Sequence, residues 1–303
     1  MRRLLVAGLA AALALTACSS GGDATTGSSS GSDSSTDRTY DVSGVEKVDD
    51  IAALLPQDIK DKGTLVIGAS IDYAPAEFRA DDLQTAIGYD VDLGKALGRV
   101  LGVETEVSAA DFASLLPGMG TKYDIGISSF TVTPERVASY NMISYITVGS
   151  SFAVQKDNPQ DFDPDALCGQ TIGVQTGTWQ ADELDAASTE CTQAGQDAID
   201  VLSYSSQSDV TTNLIGGKIA AFYADSTVSS YAVALTEGQI EVVGGVRDAA
   251  PQGIVVPQDD QELTEAVQQA VQQLMDDGTW AAILDSWGVE DAALTTAELN
   301  PAS

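Results

Sequence analysis

The sequence has 303 residues, with 14 basic and 45 acidic side chains, a formal net charge of −31 and an apolar fraction of 44%. The length allows two domains of ordinary size, and the apolar fraction is large enough for hydrophobic cores, which argues against wholesale disorder. An acidic surface repels phosphate backbones and anionic headgroups, so nucleic acid and polybasic membrane docking are excluded as favoured partners.

The first 18 residues have the organisation of an export signal. Arg2 and Arg3 are followed by an apolar run from Leu4 to Leu15, which is too short for a comfortable membrane span. The segment 15–18, Leu-Thr-Ala-Cys, resembles the bacterial lipobox, which implies lipidation of Cys18 and cleavage before it. An ordinary secretory signal whose cleavage site contains a cysteine is the alternative. Two or three acyl chains would give durable membrane anchoring.

The segment that follows is predicted to be a tether, assigned to residues 19–56. From Ser19 to Asp37 it is almost wholly Ser, Gly, Thr and Asp, a composition that buries little apolar surface and stays flexible. The part from Asp41 to Pro56 is less clear, and loose docking on the folded body is expected there.

Strand and helix patterns alternate through the next part of the chain. Gly63–Ala69 is an apolar run between turn residues and predicts a buried strand, and Asp90–Leu101 carries apolar residues at helical spacing. Further strands are predicted at 103–107 and 123–128, a short helix at 112–119, and a helix start at Thr133-Pro134. These elements form a first αβ unit.

A second αβ unit follows with the same alternation. Strands are predicted at 171–174, 199–202, 219–223 and 240–243, and helices at 179–187, 210–215 and 227–235. The alternation predicts parallel sheets wrapped by helices, and two such units predict a bilobal α/β protein. Because ligands of these sheets bind at the carboxyl ends of strands, the loops there are the places to seek a site.

Two cysteines remain after Cys18, namely Cys168 and Cys191. An exported chain with one remaining pair predicts a disulfide bond, which would contribute roughly 3 kcal/mol on the chain-entropy model. Two free buried thiols are the alternative.

One stretch and three further motifs resemble a known family. Gly88-Tyr-Asp-Val-Asp-Leu93 is similar to the signature of family 3 solute-binding proteins, the polar amino acid receptors of ABC importers. The other matches, in the family's order, are Tyr73-Ala74-Pro75 with Glu77-Phe78, the loop Ser128–Arg136, and Gly177-Thr178 with Asp225. The resemblance implies a type II periplasmic-binding-protein fold, with two αβ lobes joined by a two-strand hinge.

This fold assigns the chain to successive regions. Lobe 1 takes residues 57–152 and 253–290, because the leftover strand 254–256 and helix 263–275 are expected to rejoin it. Lobe 2 takes residues 153–252, and residues 291–303 form a C-terminal tail.

The resemblance also implies a set of ligand-binding residues. Burying both charges of a free amino acid demands a partner for each. Arg136 offers a planar fork to the carboxylate, and Asp225 accepts from the ammonium, so a ligand between the lobes would close the cleft. The hydroxyls of Ser129 and Thr131 and the amides near Thr178 complete the carboxylate's hydrogen bonds. Tyr73 and Phe112 form apolar walls.

Each of these residues also has a plainer interpretation. Arg136 is alternatively a surface helix cation, Asp225 a helix cap, Phe112 a core residue and Tyr73 a loop anchor. Trp280 and Trp287 are interpreted as packing residues, while Trp179 stays open between packing and the cleft. Relatives that prefer cationic or amide side chains often carry an acid where this sequence has Ser70. The directions of the nearby Asp72 and Glu77 are open, so no single amino acid is named.

The predicted function is a lipid-anchored, extracytoplasmic substrate-binding protein of an ABC importer. Its partners would be a polar amino acid, the permease and ATPase subunits, and the membrane through the anchor alone. A monomer without metal or cofactor is expected. A receptor for a sensor system and a dehydratase on the same scaffold are the alternatives, and the absence of histidine disfavours the enzyme.

Overall fold

The computed structural model describes residues 38–302. The predicted export signal, the lipidation site Cys18 and the tether up to residue 37 lie outside the described residues. Among the helices of 38–302, none has the combination of length and apolar character needed to cross a bilayer.

The described chain contains eleven strands and ten α-helices in alternation. The strands are β1 (Thr64–Ala69), β2 (Asp72–Tyr73), β3 (Glu77–Arg79), β4 (Ala86–Ile87), β5 (Glu104–Ala109), β6 (Ile125–Gly126), β7 (Tyr140–Gln155), β8 (Thr171–Gln175), β9 (Asp200–Tyr204), β10 (Ala221–Asp225) and β11 (Ile240–Pro257). The helices are α1 (Asp49–Ala52), α2 (Gln57–Lys62), α3 (Tyr89–Leu101), α4 (Phe112–Gly118), α5 (Pro134–Val137), α6 (Trp179–Gln193), α7 (Gln207–Ile215), α8 (Ser226–Leu235), α9 (Gln261–Asp276) and α10 (Thr279–Trp287).

Eight strands form one sheet in the order β5-β1-β6-β11-β7-β10-β8-β9, and β2, β3 and β4 form a small second sheet. We call the region of β1, β5 and β6 the first lobe and the region of β8, β9 and β10 the second lobe. Within each lobe the neighbouring strands are parallel. The prediction of a mixed α/β fold with two lobes is confirmed.

The two longest strands, β7 and β11, join the lobes. They pair with each other antiparallel, β11 also pairs with β6 of the first lobe, and β7 also pairs with β10 of the second. The predicted parallel pairing is therefore found within each lobe, whereas both crossing strands run antiparallel to their neighbours at the centre of the sheet. The strands predicted at 240–243 and 254–256 are the two ends of one strand, β11.

Amphipathic helices cover the sheet. The largest hydrophobic cluster is lined by apolar faces of α3, α9 and α10, which bury Leu93, Val267 and Trp280 among others. A second cluster fills the second lobe around Phe152, and a third lies beneath α4 around Phe130. Burying a large apolar side chain contributes roughly 1.5–3 kcal/mol, so these clusters hold the loops of each lobe on a rigid base.

The start of the described chain packs on the body. Residues 38–56 were assigned to the tether, yet Val45, Ile51 and Leu55 are buried in the largest cluster. The Tyr40 backbone N–H also donates to Asp92 Oδ2 at 2.9 Å. Because this segment buries apolar side chains, the described part of the predicted tether is packed and not extended.

A disulfide bond joins Cys168, which precedes β8, to Cys191 in α6, with their Cα atoms 5.6 Å apart. Cys191 lies in the second-lobe cluster and is buried. The bond therefore links α6 to the segment that leads into β8.

Candidate ligand-binding site

The seven predicted ligand-binding residues all line one cavity between the lobes, which is closed down to about 10 Å³. A space of this size holds about one water molecule, so a larger guest requires the cavity to open. The first lobe supplies five of these residues and the second lobe supplies two. The set is Tyr73, Phe112, Ser129, Thr131 and Arg136, then Thr178 and Asp225.

Arg136 is held at the cavity by the start of α5. Thr133 precedes this helix, and its Oγ1 accepts from the Arg136 backbone N–H at 3.3 Å. The guanidinium donates from Nη1 to the Thr131 carbonyl at 2.8 Å and from Nη2 to the Gly177 carbonyl of the second lobe at 3.2 Å. Arg136 is buried, so the alternative of a surface cation is wrong.

The guanidinium has aromatic neighbours and no acidic partner in contact. It lies 5.8 Å from the ring centre of Phe112 and 5.9 Å from that of Phe130. No carboxylate of residues 38–302 comes within ion-pair distance of it. Burial lowers the pKa of Arg136, and the more distant Asp182 and Asp225 oppose this.

Asp225 is the last residue of β10 and is buried. Its Oδ1 accepts from Gln180 Nε2 at 2.7 Å, and its Oδ2 accepts from Gln252 Nε2 at 2.6 Å. Burial raises its pKa to about 6, while the two glutamine amides act in the opposite direction. Although Asp225 precedes α8, its side chain makes no capping bond, so the alternative of a helix cap is wrong.

Two of the residues expected near the ligand's carboxylate, Ser129 and Thr178, have hydroxyls that are engaged within the protein. Ser129, at φ 49°, donates from its backbone N–H to Asp90 Oδ2 at 2.8 Å, and its hydroxyl lies 3.3 Å from the same oxygen. Thr178 donates from Oγ1 to the Gln175 carbonyl at 2.8 Å and accepts from the Ala181 N–H at 3.3 Å, which caps α6. Both hydroxyls therefore already have protein partners.

The aromatic residues form the walls of the cavity. Phe112 stacks on Phe130 with ring centres 5.0 Å apart, and the Tyr73 hydroxyl accepts from the Asp225 backbone N–H of the other lobe at 3.1 Å. Trp179, left open by the sequence, also lines the cavity, and its buried Nε1 has no hydrogen-bond partner among residues 38–302. Trp280 and Trp287 donate to the Tyr145 carbonyl and to Asp92 away from the cavity, so they are packing residues.

Sequence reasoning missed three buried glutamines. Gln180 and Gln252 hold Asp225, and Gln175 lines the cavity at the end of β8. The position of Gln175 and Gln180 on either side of Gly177-Thr178 was an available signal. Gln252 lies within β11, and no sequence pattern marks it.

The structure also fixes the two acids whose directions were open. Asp72 accepts from Gln175 Nε2 at 3.2 Å across the lobes and from Ser70 Oγ at 3.1 Å, which places it one hydrogen bond from the cavity. Burial raises its pKa to about 6. Glu77 Oε1 accepts from the hydroxyl of Ser128, another residue that lines the cavity.

Comparison with known proteins gives consistent matches. The model of the family described as bacterial extracellular solute-binding proteins, family 3, matches residues 65–290. The arginine-binding protein ArgT of Corynebacterium glutamicum is 36% identical over 258 residues, which cover 84% of each chain. The L-cystine-binding protein TcyJ of Escherichia coli K12 is 26% identical over 76% of this chain and 84% of its own.

A solved structure shows the same architecture. An ancestral arginine-binding protein bound to arginine superposes with a TM-score of 0.69 at 27% identity, over 75% of this chain and 98% of that one. The agreement extends over nearly the whole length of that chain, so the similarity concerns both lobes.

Proposed function

The chain belongs to the bacterial extracellular solute-binding proteins of family 3, and from this premise we propose that it binds a polar amino acid in the cavity between its lobes. The family places the protein outside the cytoplasm. The relatives reported above are named as binding proteins, which favours binding over the dehydratase alternative.

One observation carries the proposal. Arg136 and Asp225 are buried on opposite lobes, line the same cavity, and have no ion-pair partner within residues 38–302. A buried charge without an opposite charge is unfavourable. The carboxylate and ammonium of one amino acid supply both missing charges at once. Carbonyls around Arg136 and amides around Asp225 hold the two groups without neutralising either.

Contacts across the lobes support capture by closure of the cleft. The Arg136 guanidinium donates to the Gly177 carbonyl, and the Asp225 backbone N–H donates to the Tyr73 hydroxyl. The Gln175 side-chain amide donates to the Asp72 carboxylate. A ligand that meets Arg136 and Asp225 together gains both contacts only in the closed form, so binding shifts the population towards closure.

We further propose that the ligand's side chain is basic, as in arginine. The C. glutamicum relative is named as an arginine-binding protein. Asp72 lies behind Gln175 at the cavity wall, and Asp111 and Asp209 add to the negative potential around it. Relatives that prefer cationic or amide side chains often carry an acid at the position of Ser70. In this chain Asp72 would take the role of that acid and attract a cationic side chain. A cationic side chain would lower the raised pKa of Asp72.

The proposed partners are the permease and ATPase subunits of an ABC importer, with Cys18 as the lipid anchor. Radiolabelled fatty acid should be incorporated into the wild-type chain and not into Cys18→Ala, which should leave the membrane fraction. Incorporation of label into the variant would contradict lipidation at this residue.

The main test is isothermal titration of the purified protein with a panel of amino acids. We expect the tightest binding for arginine, weaker binding for lysine, and none for glutamate, because its side chain would face Asp72. A protein that is folded by circular dichroism and binds no member of the panel would refute the proposal. Tightest binding of a neutral amino acid would refute only the basic side chain.

A further inference from the structure

Two buried carboxyls lie directly beneath the loop that faces the ligand. Glu77 in β3 and Asp90 in α3 are each 1% exposed. Their backbones are joined where α3 begins, because the Tyr89 and Asp90 N–H groups donate to the Pro75 and Ala76 carbonyls at 3.2 and 2.9 Å. At Gly88, with φ 128°, a Cβ would run into the Ala76 backbone, so this close approach requires glycine.

Each carboxyl holds one residue of the loop. One Glu77 oxygen accepts from the Ser128 hydroxyl, which itself accepts from the Ser70 N–H at 3.0 Å. One Asp90 oxygen accepts from both the N–H and the hydroxyl of Ser129. Ser128 and Ser129 both line the cavity, so the two carboxyls together fix the wall that faces Arg136.

The second oxygen of each carboxyl has no partner. Glu77 Oε2 and Asp90 Oδ1 are buried and accept no hydrogen bond from any described residue. Two ionised carboxyls would leave two acceptors without a donor and place like charges side by side. One proton between them removes both penalties, because a protonated carboxyl donates to its ionised neighbour.

We propose that Glu77 and Asp90 share one proton at neutral pH, and that this singly protonated pair is a positioning device that holds the Ser128-Ser129 loop against the ligand. The proton resides on Glu77 and is donated to Asp90. Neither carboxyl touches the ligand. The role in ligand affinity rests on the proposed function of the cavity, whereas the shared proton does not.

The surroundings of the pair agree with this assignment. Burial, and after it the mutual repulsion of the two acids, raise the pKa of Glu77 well above its ordinary value. Burial raises the pKa of Asp90 to about 7, while hydrogen bonding from Tyr145, from Ser129 and from the neighbouring Glu77 acts in the opposite direction. The other titratable groups of residues 38–302 that face the pair are acidic or phenolic, and none of them carries a positive charge. They are Asp72, Tyr73, Tyr89, Tyr145 and Asp225.

The first test looks for the proton directly in the free protein. Infrared difference spectra of wild type minus Glu77→Gln should show the carbonyl band of a buried protonated carboxyl at neutral pH. The exposed Glu106→Gln is the matched control and should show no such band. Absence of the band from the Glu77 difference spectrum would overturn the proposal. Because no ligand is present, this result is independent of whether an amino acid binds.

The second test separates positioning from simple packing. In Glu77→Gln the amide oxygen still accepts from Ser128 and the amide N–H donates to Asp90, so arginine affinity at neutral pH should stay within about threefold of wild type. Glu77→Ala leaves Ser128 without its acceptor and should weaken binding by roughly 5- to 100-fold. Equal losses in the two variants would overturn the positioning role.

The third readout is the pH profile of the same titration. Above neutrality the wild-type pair loses its proton, the carboxylates repel, and the Kd should rise relative to that of Glu77→Gln, towards about tenfold per pH unit. Taking the ratio of the two Kd values removes the titration of the ligand and of Asp225. A ratio that stays constant from neutral to alkaline pH would overturn the proposal.

Discussion

The buried carboxyls around the cavity fall into two groups, one in each lobe, and the protein treats them in opposite ways. Asp225 in the second lobe accepts an amide N–H on each oxygen, from Gln180 and Gln252. Glu77 and Asp90 in the first lobe each have one oxygen that accepts no hydrogen bond from residues 38–302. The comparison shows that burial alone does not decide the charge of an acid. The distribution of donors over its two oxygens also matters.

This difference matches two roles. Neutral amides stabilise the negative charge of Asp225 without cancelling it, so the charge stays available to an ammonium ion. In the first lobe the second oxygens of Glu77 and Asp90 lack amide donors, and a proton held between the two carboxyls takes their place. One lobe therefore presents a charge to the ligand, and the other uses its acids to shape the loop beside the ligand's carboxylate.

The largest expected effect comes from removing the charge of Asp225. In Asp225→Asn the ammonium loses its only proposed anionic partner, and truncating one member of a buried charged pair costs about 2–5 kcal/mol, or roughly 30- to 4,000-fold in Kd. Titration calorimetry measures this loss. Asp259→Asn, an exposed aspartate, is the matched control and should bind as wild type. Comparable losses in both variants would mean that Asp225 has no special role.

A smaller effect is expected at the cation of the first lobe. Arg136→Lys keeps the positive charge but loses the planar fork that reaches the Thr131 and Gly177 carbonyls together. One lost charge-assisted hydrogen bond corresponds to about 2 kcal/mol, or roughly 30-fold in Kd. If the Arg136→Lys variant instead bound the ligand as tightly as the wild type does, a bidentate contact between residue 136 and the ligand's carboxylate would be ruled out.

The next prediction sets the two groups of acids against each other by pH. Burial raises the pKa of Asp225 to about 6, so Asp225 becomes protonated in the ligand-free protein when the pH falls below 6. Ligand binding should then weaken by up to about tenfold per pH unit. The Glu77–Asp90 pair weakens binding in the other direction, as the pH rises. A plot of affinity against pH should therefore pass through a maximum near neutrality.

Two variants distinguish the limbs of that plot. Glu77→Gln should flatten the alkaline limb and leave the acid limb in place. Asp72 also has a pKa raised to about 6, so the acid limb should become shallower, without disappearing, in Asp72→Asn. An acid limb abolished by Asp72→Asn would assign it to the side-chain end of the ligand and not to Asp225.

Much of the fold and of the site was predictable from the sequence for one physical reason. Parallel strands end at the same edge of a sheet, so polar residues after successive strands converge, as Thr178 and Asp225 do. The helices α3 and α9 were predicted because each has one apolar face at helical spacing. These signals are local, so they can be recognised without knowing which elements are neighbours in the fold.

The rest depends on contacts between distant parts of the chain. Strand β7 is buried along both faces, so it lacks the alternation that marks a strand, and it was missed. Gln252 reaches Asp225 only because β11 crosses between the lobes. The Glu77–Asp90 pair likewise arises from the packing of β3 against α3. Glutamine and glutamate are common surface residues, and nothing in their spacing indicates burial here.

The smallest expected effect concerns the stability of the fold. Unfolded Glu77 titrates near its ordinary value, whereas burial raises its pKa in the folded protein, so between these values the native state binds a proton that the unfolded state lacks. The free energy of unfolding should therefore decrease as the pH rises through neutrality, with a contribution from Glu77 of at most about 1.4 kcal/mol per pH unit. Urea unfolding at a series of pH values measures the slope. Glu77→Gln should be flatter than wild type, and Glu106→Gln should not. Parallel slopes for wild type and Glu77→Gln would mean that Glu77 is ionised in the native protein, and the contrast with Asp225 would fail.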